Sequence, residues 1–129
     1  MGKIACDYSN EIYLTDDNPR FEDPRKIRDD IKKGIQDTSI KEIPNRKQAI
    51  SEAVKNLNTG DILLVAGKGH EKTQDFGKKK IYFSDKKIIL DCIKLKNTNL
   101  SKNLKINIIK EVLKIKKIPL VKADKVKIN

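Results

Sequence analysis

Two short stretches of this 129-residue chain hold side chains whose types and spacing could do chemistry. In "TDDNPR", Asp17, Asn18 and Arg20 crowd together, and in "AGKGHE" Gly67, Lys68, His70 and Glu71 do the same. Arg20 offers a planar fork of N–H donors that matches a carboxylate, and Asn18 can both donate and accept. Glu71 and the carbonyl of Gly67 can accept from an ammonium group. A ligand with a carboxylate at one end and an amine nearby, such as an amino acid, suits that combination. The glycines permit close backbone approach. The GxxxxGK[ST] spacing of a P-loop is absent, and a lone GxG is weak evidence. Read alone, the second stretch is equally an ordinary polar turn, in which His70 orders its own loop, and Asp17 and Asn18 likewise have a turn-shaping reading.

Both stretches need elements to position them. "EIYLT", Glu11 to Thr15, is short and β-prone and runs into the Asp-Asn-Pro turn, so it reads as a strand. Asp23 before Pro24 reads as an N-cap, and Ile27, Ile31 and Ile35 fall on one face of a helix running to about Gln36. A second helix follows Pro44 and Asn45, with Ala49, Ile50, Ala53, Val54 and Leu57 as its apolar stripe and Gly60 as its stop. Ile62 to Ala66 is a continuous apolar run of the kind buried on both faces of a parallel sheet. "KKIYFSD" reads as another strand, and Ser84 or Asp85 caps a helix carrying Ile88, Ile89, Cys92 and Ile93. This order predicts an α/β domain, three-layered, with a partly parallel sheet flanked by helices. Ligands in such sheets gather beyond the carboxyl ends of the strands. If "EIYLT" and "ILLVA" are parallel neighbours, the two chemical stretches share one edge.

Composition narrows the options. The net charge is +11, but residues 1–85 hold 16 Lys plus Arg against 15 Asp plus Glu, whereas residues 86–129 hold 13 Lys against 3 acids. The basic excess therefore belongs to the C-terminal third. That segment lacks aromatics and Arg, hence the stacking and bidentate groups of sequence-specific nucleic-acid recognition, and it reads as a solvated Lys face. No apolar run approaches the roughly 18 to 20 residues of a membrane span, and no secretory signal opens the chain, which suggests a cytoplasmic setting. Cys6 and Cys92 have no metal-ligand spacing and read as reduced structural residues.

"YSNEIYLTDDNPRFEDPRKI", "IPNRKQAI" and "DILLVAGKGHEKTQ" resemble, in order and spacing, the C-terminal domain of the Mur ligases, of the MurE type. The resemblance covers about residues 1–95. It implies a Rossmann-like C-terminal domain of a cytoplasmic, ATP- and Mg-dependent enzyme of peptidoglycan precursor synthesis. Such an enzyme joins an amino acid, through an acyl phosphate, to UDP-MurNAc-L-Ala-D-Glu. The DNPR at Asp17 to Arg20 resembles the form in members that add meso-diaminopimelate. Arg20, helped by Asn18, would grip its distal carboxylate, and Gly67 and Glu71 would hold the adjacent amine. Arg46, Lys68 and His70 are candidates for nucleotide or loop-shaping contacts. At Asn45 the chain departs from the Asp-Arg pair common in the family. No catalytic residue and no metal ligand is assigned.

The resemblance further implies that family members carry a strand and an Arg-bearing loop ahead of the position of Met1. The expectation is therefore a C-terminal fragment or truncated reading frame, residues 1–96 being the ligase domain without its first strand, inactive in ligation by itself. Residues 97–129 fall outside the resemblance. "NTNLSKN" reads as a polar linker, Leu104, Ile108, Val112 and Ile115 as the stripe of a basic amphipathic helix that Pro119 ends, and the rest as an extended tail that could begin another domain. The rival reading is a non-catalytic module that retains the ligase fold and binds phosphates or nucleic acid through its Lys-rich tail.

Overall fold

The computed structural model describes residues 2–36 and 40–115, with side chains as far as residue 108. It divides into two units, residues 1–92 and 93–129. The first is built from α1 (Gly2–Tyr8), β1 (Ile12–Leu14), α2 (Pro24–Lys32), β2 (Ile40–Glu42), α3 (Arg46–Asn56), β3 (Thr73–Asp75), β4 (Lys80–Tyr82) and the start of α4 (Asp85–Ile115). The α/β class expected from the sequence is the one observed. β1 and β2 pair in parallel, Ile12 opposite Ile40 and Leu14 opposite Glu42, with α2 as the connection that a parallel pair requires. β3 and β4 form an antiparallel hairpin.

The helix starts follow their capping chemistry. The Asp23 carboxylate accepts from the Arg25 N–H, and Pro24 fills the first helical position, where no N–H is needed. Asn45 caps α3 by accepting from the Gln48 N–H, and the Ser84 hydroxyl accepts from the Lys87 N–H at the head of α4. α2 ends at Lys32 rather than Gln36, because the carbonyls of Ile31 and Lys32 are taken by tight turns to Gly34 and Ile35. The core is small. Ile50 and Val54 of α3 meet Phe83, and Leu63, Val65, Ile88, Ile89 and Cys92 pack around them. Cys6 and Cys92 are half-buried and not joined in a disulfide, and the Cys6 thiol donates to the carbonyl of Gln36 at 2.9 Å.

The run Ile62 to Ala66 departs from expectation. It forms no ladder with any strand among the described residues, and its burial alternates. Leu63 and Val65 face the core, while Ile62 and Leu64 are 94% and 84% exposed. A strand buried on both faces needs a layer on each side; here Leu63 and Val65 pack on the cluster of Ile50, Val54 and Phe83, while the period-2 pleat turns Ile62 and Leu64 to solvent. Two short strands, β2 and β3, occur instead where the sequence lacks a strong apolar alternation.

In the second unit, residues 97–103, expected as a linker, lie inside α4. Asn, Thr and Ser cost a helix only a few tenths of a kcal/mol each, and without Gly or Pro nothing stops propagation from the Leu- and Lys-rich turns around them. Leu104 and Ile108 of the expected stripe are exposed. Val112 and Ile115 lie on the helical backbone of α4, their side chains beyond those described, and Pro119 and the expected extended tail lie outside the described residues.

One ionic cluster ties β1, α2 and β2 together. Arg28 of α2, 9% exposed, donates to Asp16 at the end of β1 and from Nε to Glu42 of β2 at 2.9 Å, and Lys32 reaches Glu42 at 2.7 Å. Lys32 first, and Arg28 second, hold the Glu42 carboxyl below its ordinary range, and the hydrogen bond to Glu42 helps raise Arg28. A depressed carboxylate stabilises the fold above its unfolded pKa and loses that contribution as pH falls through the lower, folded one. Thermal unfolding should therefore show a midpoint that drops as the pH is taken below about 4.5, and Glu42→Gln should flatten that drop.

Candidate functional site

The site begins at the ends of two extended segments, and one side chain holds both. Arg46, the first residue of α3, is 4% exposed. Its Nε donates to Asp85 Oδ1 at 2.8 Å and its Nη2 to Asp85 Oδ2 at 2.7 Å, a bidentate pair across the head of α4. Nη1 donates to the carbonyl of Asp16 at 3.3 Å and Nη2 to the carbonyl of Ala66 at 3.0 Å. Four of its five N–H groups are thereby used. Asp16 opens the first chemical stretch and Ala66 the second, so the two loops meet through a guanidinium, not through strand pairing.

Close packing completes the approach. Gly67 has φ 115°, and a Cβ there would stand 2.9 Å from Asp17 Oδ2, so both the backbone conformation and the space demand glycine. Lys68 carries its side chain inward, wholly buried, with Nζ 2.7 Å from Asn18 Oδ1, 3.3 Å from Asp17 Oδ1 and 3.8 Å from Glu71 Oε2. Asn18 Nδ2 donates to Glu71 Oε2 at 2.8 Å. Asp17, Asn18, Gly67, Lys68 and Glu71 thus form one interlocked cluster. His70 is exposed and joins none of these contacts.

The β3–β4 hairpin supports the first loop from the other side. Gln74, 4% exposed, donates to the carbonyls of Asp17 at 2.9 Å and Asp16 at 3.4 Å. The Asp75 N–H donates to Asn18 Oδ1 at 2.9 Å, and the Arg20 N–H donates to the carbonyl of Asp75 at the same distance. Arg20 has φ 51°, a left-handed conformation that a non-glycine residue keeps only when its surroundings enforce it. Gly77 makes that enforcement possible, since a Cβ there would lie 2.7 Å from the Arg20 carbonyl oxygen. The Arg20 side chain is 63% exposed, with Nε 3.8 Å from Asp75 Oδ2. Gln74 and Asp75 escaped the sequence reading because neither belongs to an apolar alternation; the weak signal was the Asp75-Phe76-Gly77 turn, in which the Gly77 N–H donates to Asp75 Oδ1.

A cleft of about 550 Å³ opens beside the loops, and Asp17, Asn18, Arg20, Gly67 and Glu71 all line it. The arrangement presents an exposed guanidinium next to a partly exposed carboxylate and amide. Chemically it can bind and orient a zwitterionic end group. The P-loop spacing is absent from the sequence, and among the described residues no group of three His, Cys, Asp or Glu could hold a metal.

Residues 1–69 match the family described as Mur ligase, glutamate ligase domain. The UDP-N-acetylmuramoyl-L-alanyl-D-glutamate–2,6-diaminopimelate ligase of Rickettsia rickettsii is 50% identical over 95 residues, which cover 74% of this chain and 20% of that protein. The enzyme of the same name from Chlorobium phaeobacteroides is 46% identical over 97 residues, 75% of this chain and 19% of its own length. A solved structure of a ligase of that name superposes with a TM-score of 0.66 at 36% identity, over 70% of this chain and 19% of that one. The chain spans about a fifth of the length of these relatives.

Because Asp85 is buried with Arg46, deleting one partner strands the other. Arg46→Met should cost about 3–5 kcal/mol of unfolding free energy, and Arg46→Met/Asp85→Leu should recover part of that loss. Denaturant titration of both variants checks the order.

Proposed function

The chain belongs to the Mur ligase family, and from that membership we propose that its two interlocked loops bind meso-diaminopimelate, the amino acid that a peptidoglycan precursor ligase adds. The observation that carries the reading is the joint presence of Arg20, Asn18 and Glu71 on one cleft of ligand size, with Arg20 exposed and held in a strained backbone conformation. Strain maintained at a solvent-facing arginine by a buried glutamine, a hairpin and a glycine contact serves presentation of the side chain.

In this reading the Arg20 guanidinium takes the distal carboxylate, the amide of Asn18 adds a second donor, and Glu71 with the Gly67 carbonyl accepts from the neighbouring ammonium. Lysine lacks the distal carboxylate and so leaves Arg20 unused. The work of this chain is to bind and orient. ATP and Mg belong to the family reaction, in which ATP activates the D-glutamate carboxylate of UDP-MurNAc-L-Ala-D-Glu; the part assigned to the residues described here is to hold the incoming amino acid. In this reading the work is done in the cytoplasm. No helix among the described residues is long and apolar enough to cross a membrane.

Calorimetric titration of the chain with meso-diaminopimelate and with lysine tests the proposal. Selective binding of diaminopimelate is expected, and Arg20→Ala should remove about 1.5–3 kcal/mol of that preference. Equal affinity for the two amino acids in the unmutated chain overturns the assignment.

A further inference from the structure

Lys68 is the one member of the cluster whose side chain is completely buried, yet a buried ammonium is costly unless its surroundings repay it. Two acceptors and a further carboxylate do so here: Asn18 Oδ1 and Asp17 Oδ1 accept from it, and Glu71 Oε2 stands at ion-pair distance. Two consequences follow from chemistry alone. First, Asn18 acquires a fixed direction. Its Oδ1 faces Lys68 Nζ at 2.7 Å and the Asp75 N–H at 2.9 Å, both of them donors only, so both lone pairs are occupied. Its Nδ2 faces the Glu71 carboxylate at 2.8 Å, which accepts only. Turning the amide over would set donor against donor and acceptor against acceptor. Asn18 therefore has a single N–H left to offer, and toward a ligand it acts as a donor.

Second, the charge of the cluster is set. Asp17 and Glu71 supply two negative charges side by side, and Lys68 cancels one of them. What remains matches one ligand ammonium. Without Lys68 the cluster would carry two negative charges beside the place where a ligand carboxylate must come to meet Arg20.

Resting on the diaminopimelate reading, we propose that Lys68 is a specificity-determining positioning residue. Its buried ammonium lowers the negative charge of the cluster and helps hold Asn18 as a donor, which admits a ligand end bearing carboxylate and ammonium together and disfavours one bearing ammonium alone. Lys68 touches the residues that grip the ligand and acts through them.

The test uses the full 129-residue chain, titrated with meso-diaminopimelate and with lysine at fixed pH and salt. In Lys68→Met the preference for diaminopimelate should fall by about fivefold or more, the size of one modest charge–charge contact. Lysine affinity should hold or rise, because the site has become more negative. This divergence separates a specificity role from simple loosening of the loops, which would weaken both ligands in parallel. Lys68→Gln, which keeps an N–H donor near Asn18 but removes the charge, guards against a Met variant that fails to fold, and the same divergence is expected of it. A parallel loss in a folded variant overturns the role of Lys68 and leaves the diaminopimelate reading standing. An unmutated chain that does not distinguish the two ligands overturns both.

Discussion

The site depends on the placement of one guanidinium. Arg46 sits at the head of α3, pairs in the interior with Asp85 at the head of α4, and spends its other bonds on the carbonyls of Asp16 and Ala66. A charge in that position is tolerable only because it is paired and bidentate. Once it is there, both loops have a common anchor. The contacts among Asp17, Asn18, Gly67, Lys68 and Glu71 join the same two loops a few residues further along, so that Arg46 and the cluster hold one approach from two sides.

Around that anchor the groups run from buried to exposed. Helix α3 supplies the core through Ile50 and Val54, the β3–β4 hairpin fixes the backbone of the first loop, and Arg28 secures the strand end from which that loop departs. Only the outermost groups stay open to solvent. Arg20, Asp17 and Glu71 keep 63%, 44% and 48% of their side-chain surface. Buried Lys68 and Gln74 beneath them turn a pair of polar turns into a shaped surface.

Much of this was legible in the sequence, and what was not has a physical reason. Asp23-Pro24, Asn45 and the pair Ser84 or Asp85 marked helix starts because capping is local chemistry, decided within four residues, and of that pair Ser84 accepts from the Lys87 N–H. The types of Asn18, Arg20, Gly67 and Glu71 suggest zwitterion binding, and the structure sets all four on one cleft. Strand pairing is a long-range property, and there the reading of Ile62 to Ala66 misled: a continuous apolar run shows what could be buried, not whether a second layer exists to bury it. Arg46 was visible as a candidate, but its partners lie 20 to 39 residues away, too distant for spacing to identify. The same holds for Gln74, whose amide reaches back 57 residues to the Asp17 carbonyl.

The central claim is that these two loops, held together by Arg46, are a single ligand site. Mapping backbone amide chemical shifts of the labelled chain during titration with meso-diaminopimelate tests it most directly. The account predicts saturable shifts confined to residues 16–20, 67–71 and 74–77, with residues 93–108 of α4 unmoved. Shifts spread along Lys-rich α4, or none in either loop at saturating ligand, would contradict it.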